Sequence, residues 1–495
     1  MKQAEFDALA AQGYTRIPLV LETFADLDTP LSVYLKLANK PYSYLFESVQ
    51  GGERFARYSI IGLPARTVLR VIDGKISVSE DGREIEVLEG DPLAAIDAFN
   101  ARYKAAPLPY NLRFVGGLVG YFGYDTVRYI EPRLAATRKD DAIGIADILL
   151  MLSEELAIVD NLSGKLYIVV YVDPTRENAF AHGEARLADL RRALSQSVAV
   201  PEHRPTASIG GEPKSNFPKE DFLAAVARCK RYITDGDIMQ VQISQRIEQP
   251  FAAEPINLYR ALRSINPSPY MFFVHLDAFH IVGASPEILV RLEDGTVTLR
   301  PIAGTRKRGK TNEEDLALEQ ELLNDPKERA EHLMLIDLGR NDVGRVAQTG
   351  SVKVTENMIV ERYSHVMHIV SNVEGEIRPG INAIELLRAT FPAGTVTGTP
   401  KVRAMEIIDE LEPAKRGVYA GAVGYIGFNG NMDLAIAIRT ALIKDGTLYV
   451  QAAAGIVADS VPELEWQETQ NKARGVLRAA ELALQGLDGE GAPCS

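Results

Sequence analysis

The chain has little of several residue types on which other proteins depend. Two cysteines in 495 residues, Cys229 in a helical pattern and Cys494 in a glycine-rich tail, exclude a disulfide framework and fit a reducing compartment. Seven scattered histidines give no zinc spacing: His365 and His368 stand i, i+3, without cysteine or a third ligand nearby. Trp466 is the only tryptophan. There is no basic tract for nucleic acid and no apolar run long enough to cross a bilayer. The opening Met1-Lys2-Gln3-Ala4-Glu5-Phe6-Asp7 lacks the apolar core of a signal peptide, so a cytoplasmic location is expected. The net charge is −13. An anionic ligand must therefore meet locally placed Arg and Lys residues or a metal.

What is present is a large folded chain. Hydrophobic residues make up 46% of it, enough for about two or three domain-sized units. The N-terminal part reads as antiparallel hairpins, with Asp73-Gly74 between Thr67–Ile72 and Lys75–Ser79, Asp81-Gly82 before Glu84–Leu88, and Asn161-Leu162-Ser163-Gly164 between Leu156–Val159 and Leu166–Val172. Helical patterns cover about 92–105 and 175–195. The division expected is an N-terminal region 1–195, a Pro- and Ser-rich linker 196–216, a second region 217–486 and a flexible tail 487–495. The second region has a helix from Pro218 to about Thr234, a strand Ile238–Ile247, hairpin turns at Asp294-Gly295 and Asp445-Gly446, and helices near 312–324, 326–338, 381–390, 401–411 and 461–485. Strands joined by two-residue turns are antiparallel, so the class is α+β. Gly117-Leu118-Val119-Gly120-Tyr121-Phe122-Gly123-Tyr124 echoes Gly421-Ala422-Val423-Gly424-Tyr425-Ile426-Gly427-Phe428. An old duplication and convergence of glycine-rich strands both account for it. Neither copy is a dinucleotide fingerprint.

Two pairs of glutamates with the same spacing stand far apart in sequence: Glu328 with Glu331, and Glu465 with Glu468. Each pair shares one helix face. Taken alone, each fits a solvated or capping role, with Asp325-Pro326 before the first pair and Ser460 three residues before Glu463. Taken together, two helices that aim two carboxylates each at one point would hold a hard cation such as Mg²⁺ next to a polyanionic small molecule.

The surrounding blocks decide between these readings. Leu335-Ile336-Asp337-Leu338-Gly339-Arg340-Asn341-Asp342, Gly283-Ala284-Ser285-Pro286-Glu287, Pro301-Ile302-Ala303-Gly304-Thr305, Pro392-Ala393-Gly394-Thr395-Val396-Thr397-Gly398 and Gly455-Ile456-Val457-Ala458-Asp459-Ser460 resemble, in order, the motifs of the chorismate-utilising enzymes. Leu45-Phe46-Glu47-Ser48 and Gly116-Gly117-Leu118-Val119-Gly120-Tyr121 extend the likeness toward the N-terminus. The resemblance implies two large antiparallel sheets packed face to face and flanked by helices. It also implies Mg²⁺ at Glu328, Glu331, Glu465 and Glu468. Chorismate would lie against Tyr419, Arg439, Gly455 and Lys472, with Gln240 and Thr395 also at the substrate site. Ala453 stands where relatives often have glycine, which puts close backbone approach there in question.

By the same resemblance Glu287 is the acid for a departing hydroxyl and needs a raised pKa to serve. His368 assists pyruvate loss, and Thr305 contributes a hydrogen bond near the ring. Two positions separate the branches of the family. Gln240 replaces the lysine that activates water in isochorismate- and salicylate-forming relatives, and Ala303 replaces the lysine with which aminodeoxychorismate-forming relatives attack chorismate. The likeness is therefore to the branch that makes anthranilate and pyruvate from chorismate and ammonia, in tryptophan biosynthesis. Aminodeoxychorismate formation is the alternative, and a non-catalytic tryptophan-sensing subunit the second. Neither cysteine sits in a glutaminase elbow, so a separate glutamine amidotransferase subunit is the expected partner, in a heterotetramer. Glu47 and Ser48, with Pro269, Tyr270, Met271, Val423 and Tyr425, resemble the family's tryptophan feedback element.

Overall fold

The computed structural model describes residues 1–49, 57–110, 112–137, 139–198, 212–363 and 366–487. His365, Cys494, residues 199–211 of the expected linker and residues 488–495 of the expected tail lie outside them. The expected turns form as the dipeptides dictate. Asp73, Asp81, Asp294 and Asp445 all take positive φ, as do the glycines that follow them, which is the type I′ geometry that matches strand twist.

These hairpins assemble into two 12-stranded antiparallel sheets. At the middle of the first, Ser43–Glu47 pairs with Tyr270–His275. Outward on one side run Tyr58–Gly62, Glu155–Asp160, Lys165–Val172 and Ile17–Phe24; on the other run Phe279–Ser285, Thr440–Lys444, Thr447–Ile456 and Gln240–Pro250. At the middle of the second, Gly117–Phe122 pairs with Ala422–Gly427. It is flanked by Ile148–Ser153, Thr67–Ile72, Lys75–Glu80 and Arg83–Leu88 on one side, and by Met432–Ile436, Ile288–Glu293, Thr296–Leu299 and Val366–Glu376 on the other. The N-terminal stretch therefore supplies five strands of each sheet and the C-terminal stretch the other seven, so neither stretch forms a sandwich of its own.

The two halves repeat one another strand for strand. Gly120 lies directly opposite Gly424, so the sequence echo falls on the pseudo-two-fold axis. A Cβ on either glycine would meet backbone oxygen at 2.0 Å, which keeps both positions glycine. Arg70 donates to the Tyr42 hydroxyl at 2.6 Å, and Arg291 donates to the Tyr270 hydroxyl at 2.8 Å, each tyrosine following a proline. The echo is thus the trace of a duplicated unit. The second half differs by a long insertion, from Ile302–Lys307 through the helices Asn312–Asn324 and Pro326–Gly344 to Lys353–Arg362 and Val366–Glu376.

Alternation along each strand builds the layers. In Gly117–Phe122, Leu118 and Phe122 pack toward helices, whereas Val119 and Tyr121 enter the layer between the sheets. Helices such as Pro255–Ile265 and Pro462–Gln485 cover the outer face of the first sheet. Trp466 serves this packing, its ring edge-on to Phe222 with centroids 5.3 Å apart.

Candidate active site

The insertion and the end of the first sheet meet in one cleft. Helix Pro326–Gly344 starts where the sequence indicates: Asp325 accepts from the N–H groups of Lys327 and Glu328 at 2.9 and 3.3 Å, with Pro326 next. That cap leaves Glu328 free of the capping-box role, and Glu328 instead accepts from Arg306 at 3.3 Å. The second expected cap does not form. Helix Pro462–Gln485 has Val461 at its N-cap with no side-chain bond, because the Ser460 hydroxyl is taken by the N–H of Val457 at 3.0 Å and Glu463 pairs with Lys219 at 2.6 Å.

The two helices bring the glutamates near one another in pairs: Glu331 feels the charges of Glu328 and Glu468, and Glu465 that of Glu468. Burial pushes the Glu331 carboxyl above its ordinary range, and the charges of Glu328 and Glu468 push it further, while Gln240 and Lys472 offset part of this. Glu465 is likewise raised by burial and by Glu468, against a bond to Ser460. Lys472 pairs with Glu468 at 2.6 Å and also donates to the Ala453 carbonyl at 3.0 Å. The i, i+4 ion pair is thus formed, and the same ammonium reaches the strand that carries Gly455. Among the described residues no three His, Cys, Asp or Glu side chains stand close enough to enclose an ion. The side chains offer only carboxylate oxygen and repel one another. This suits a hard cation that keeps several waters.

The floor of the cleft comes from two paired strands, Gln240–Pro250 and Thr447–Ile456. Gly455 lies opposite Gln242 in the ladder, and a Cβ there would stand 2.7 Å from Gln240 Nε2 and 2.8 Å from Gln242 Nε2. Gln240 is itself buried. Ala453 is buried opposite Ser244, and its backbone N–H bonds the hydroxyl of buried Tyr419.

Glu287, Arg439 and His368, the groups expected to react or to hold the substrate, form a second cluster. Burial pushes the Glu287 carboxyl up to about 8, only partly offset by Thr395 and Arg439, so it holds its proton at neutrality. The Thr395 hydroxyl is buried beside that carboxyl. Arg439 sits in the left-handed region at φ 50°, between Met432–Ile436 and Thr440–Lys444. Among the described residues no hydrogen bond or ion pair reaches its guanidinium, and burial lowers its pKa against the pull of Tyr363 and Glu287. A buried guanidinium in that state is a site for a carboxylate.

His368 is held neutral, its pKa lowered to about 4 by burial and by Arg439. Its Nδ1 lies 2.9 Å from the Gly304 carbonyl and 3.1 Å from Thr305 Oγ1. Gly304 makes this possible by taking φ 62° at a bulge in Ile302–Lys307. Its own Cβ position would be 3.2 Å from Glu328 Oε2, so the bulge joins the two clusters. Sequence reasoning missed Tyr363, whose ring meets His368 edge-on with centroids 5.5 Å apart and whose hydroxyl donates to Glu361 at 2.9 Å.

A separate cavity of about 70 Å³ gathers Glu47, Ser48, Pro269, Tyr270, Met271, Val423 and Tyr425 from three distant segments. Tyr270 donates to Asp433 at 3.1 Å, and Arg291 grips the same carboxylate at 3.0 Å. The Glu47 carboxylate is engaged by the Tyr259 hydroxyl and by Arg263 at 3.1 Å. A larger cavity of about 510 Å³ adjoins it, sharing Arg113, Pro269, Tyr270 and Arg291 and reaching Pro286, Arg300 and Tyr363 beside the reacting groups.

Residues 44–478 match the family model described as chorismate binding enzyme. The chain is 60% identical to anthranilate synthase component 1 of Pseudomonas aeruginosa over 99% of this chain and 100% of that one. It is 58% identical to the protein of the same name from Neisseria meningitidis serogroup A, over 99% and 100%. Among solved structures, anthranilate synthase component I of Streptococcus pneumoniae superposes with a TM-score of 0.74 at 36% identity, covering 92% of this chain and 98% of that one. The menaquinone-specific isochorismate synthase of Escherichia coli, at 20% identity and a TM-score of 0.71 over 98% and 100%, shares the fold. The match over residues 44–478 and the identity to these relatives along nearly the whole chain show the family: the chain belongs to the chorismate-binding enzymes.

Proposed function

We propose that the chain is the large component of an anthranilate synthase, making anthranilate and pyruvate from chorismate and ammonia. The observation that carries this reading is the Arg439 guanidinium, buried and unpaired among the described residues, between a carboxyl that keeps its proton and an imidazole that has none to spare. Arg439 and the floor at Gly455 orient the substrate's carboxylates. Ammonia adds at C2 of the ring as the 4-hydroxyl departs, and Glu287 gives that oxygen its proton so that water leaves. Because His368 donates from Nδ1 to the Gly304 carbonyl, its Nε2 is the acceptor. It takes the ring proton lost as pyruvate departs and the ring becomes aromatic.

Mg²⁺ held by Glu328, Glu331, Glu465 and Glu468, with waters completing its shell, would supply charge neutralisation at the ring carboxylate. Ala303 provides no amine nucleophile and Gln240 no base for water, which leaves ammonia as the attacking group and disfavours the aminodeoxychorismate and isochorismate reactions. Cys229 is buried with its thiol pushed up to about 12 and is no glutaminase nucleophile. Ammonia from glutamine then comes from a partner subunit, in a heterotetramer. Tryptophan bound at the Ser48–Tyr270 cavity is the inhibitor that this assignment brings with it. Incubation of the purified chain with chorismate, Mg²⁺ and ammonium, followed by product identification, tests the reading. Anthranilate with pyruvate is the expected result; aminodeoxychorismate, isochorismate, salicylate or no product overturns it.

A further inference from the structure

Strand Gln240–Pro250 carries one wall of the cleft, and its outer edge is almost bare. Only two short pairings cover it, Gly398–Thr399 against Gln240 and Val241, and Lys214–Ser215 against Ile247 and Glu248. Between them the outward-facing Gln242 N–H bonds the Thr397 carbonyl at 2.8 Å, and Arg246 bonds Asn216 through its N–H and its carbonyl, each at 2.9 Å. Among the described residues the Gln242 carbonyl and the Ser244 N–H meet no backbone partner, and an unpaired buried amide or carbonyl is costly. Side chains fill this gap. The Ser244 N–H and Oγ both donate to Glu412 Oε1 at 2.7 Å. The Gln242 carbonyl accepts from Arg416 Nη2 at 2.9 Å.

Glu412 and Arg416 are 3% and 2% exposed and form a two-pronged ion pair across the loop that follows helix Lys401–Leu411, at 2.9 Å (Nε to Oε2) and 2.7 Å (Nη2 to Oε1). The free prong, Arg416 Nη1, donates to the Val396 carbonyl at 2.7 Å, next to Thr395. The guanidinium lies 4.7 Å from the centre of the Tyr124 ring and 5.6 Å from that of Tyr419. Ser244 Oγ in turn accepts from Gln451 Nε2 at 2.8 Å, tying the neighbouring strand that carries Ala453 and Gly455. Counted back equally from Gly117 and Gly421, the N-terminal repeat has Leu108 and Leu112 in place of Glu412 and Arg416. The pair therefore belongs to the half that carries the chemistry.

We infer that Glu412 and Arg416 are positioning residues of the cleft: one buried ion pair that sets Gln240, Tyr419, Thr395 and Gly455 relative to one another without touching substrate. The inference rests on the chorismate reading proposed above. Its test separates the two, because wild-type turnover to anthranilate and direct titration with chorismate come first. Three variants follow: Arg416→Lys, which keeps the charge but loses the fork; Glu412→Gln, which keeps the shape but loses the charge; and the double variant Glu412→Leu/Arg416→Met. Replacing a buried ion pair by apolar side chains is often neutral for stability or better, so the double variant removes the pair without leaving a lone charge.

Positioning predicts that all variants that melt cooperatively raise KM and the chorismate dissociation constant at least tenfold, with a smaller change in kcat, the double variant included. A folded double variant with wild-type KM and dissociation constant would overturn the inference, as would three variants that all fail to fold, since the pair would then serve the fold alone. A wild-type protein that binds no chorismate would sink the proposed function instead.

Discussion

His368 and Gly304 are joined by a hydrogen bond of 2.9 Å, from the ring Nδ1 to a carbonyl that a left-handed glycine turns toward it. The bond fixes the tautomer and leaves Nε2 as the acceptor. Acid–base groups acting in one step contribute about 10²–10⁴ to the rate. His368→Met should therefore slow pyruvate loss by about that factor while affecting amination much less. A non-aromatic aminated intermediate should accumulate, visible by rapid-quench chromatography. Equal decline of both steps would assign His368 a positioning role only.

Glu287 gives a prediction whose sign follows from burial. Its folded pKa is about 8 against an ordinary 4.5, so the folded chain keeps a proton that the unfolded chain loses. Stability from this group is fully present below about pH 4.5 and declines as pH rises toward 8, by up to ~1.4 kcal/mol per pH unit. Glu287→Gln should flatten that part of the profile of melting temperature against pH. The same variant should lose about 10²-fold or more in kcat. In the wild type, turnover corrected for the fraction of free ammonia should fall above about pH 8. An undiminished corrected rate at higher pH would mean that Glu287 is not the acid.

The carboxylate cluster predicts a metal response that does not depend on turnover alone. Glu331→Gln and Glu468→Gln each remove one oxygen donor from a set that already repels itself. Each should raise the Mg²⁺ concentration for half-maximal activity at least tenfold and weaken Mg²⁺ binding by calorimetry in the presence of chorismate. The melting temperature without metal should stay the same or rise, since like charges are being removed. Full activity of both variants at limiting Mg²⁺ would reject the site.

Much of this was legible in the sequence because its causes are local. The four Asp-Gly turns need positive φ, and helices Asn312–Asn324 and Lys401–Leu411 begin and end where their patterns indicate. The seven residues expected to form a tryptophan element share one cavity, which a resemblance spread over distant segments could indicate and composition could not. Other features depend on tertiary neighbours. Glu287 acquires its raised pKa, and Arg439 its lack of a partner, only from what packs around them. Ser460 carries a capping signature but spends its hydroxyl on Val457. Arg416 reads as an ordinary charge in Lys415-Arg416-Gly417, because the bare edge it covers exists only once Gln240–Pro250 has found its place in the sheet.

The last prediction concerns control. Ser48 lines the cavity with Tyr270 and Met271, and the Glu47 carboxylate beside it is already spent on Tyr259 and Arg263. The Glu47 carboxylate so engaged is a poor partner for a tryptophan head group, and Pro269 and Met271 offer apolar surface for the indole. The cavity of about 70 Å³ is too tight for a second aromatic ring, so Ser48→Phe should fill it. A hydrogen bond to a charged group is worth ~1.5–3 kcal/mol, roughly ten- to a hundredfold in affinity. The tryptophan concentration for half-inhibition should rise at least tenfold in Ser48→Phe, read as the ratio of inhibited to uninhibited rate at fixed chorismate. Glu47→Gln, which keeps the Tyr259 contact, should shift it far less. Unchanged inhibition in Ser48→Phe would place the regulatory site elsewhere, and a larger effect from Glu47→Gln would return the head-group role to the carboxylate.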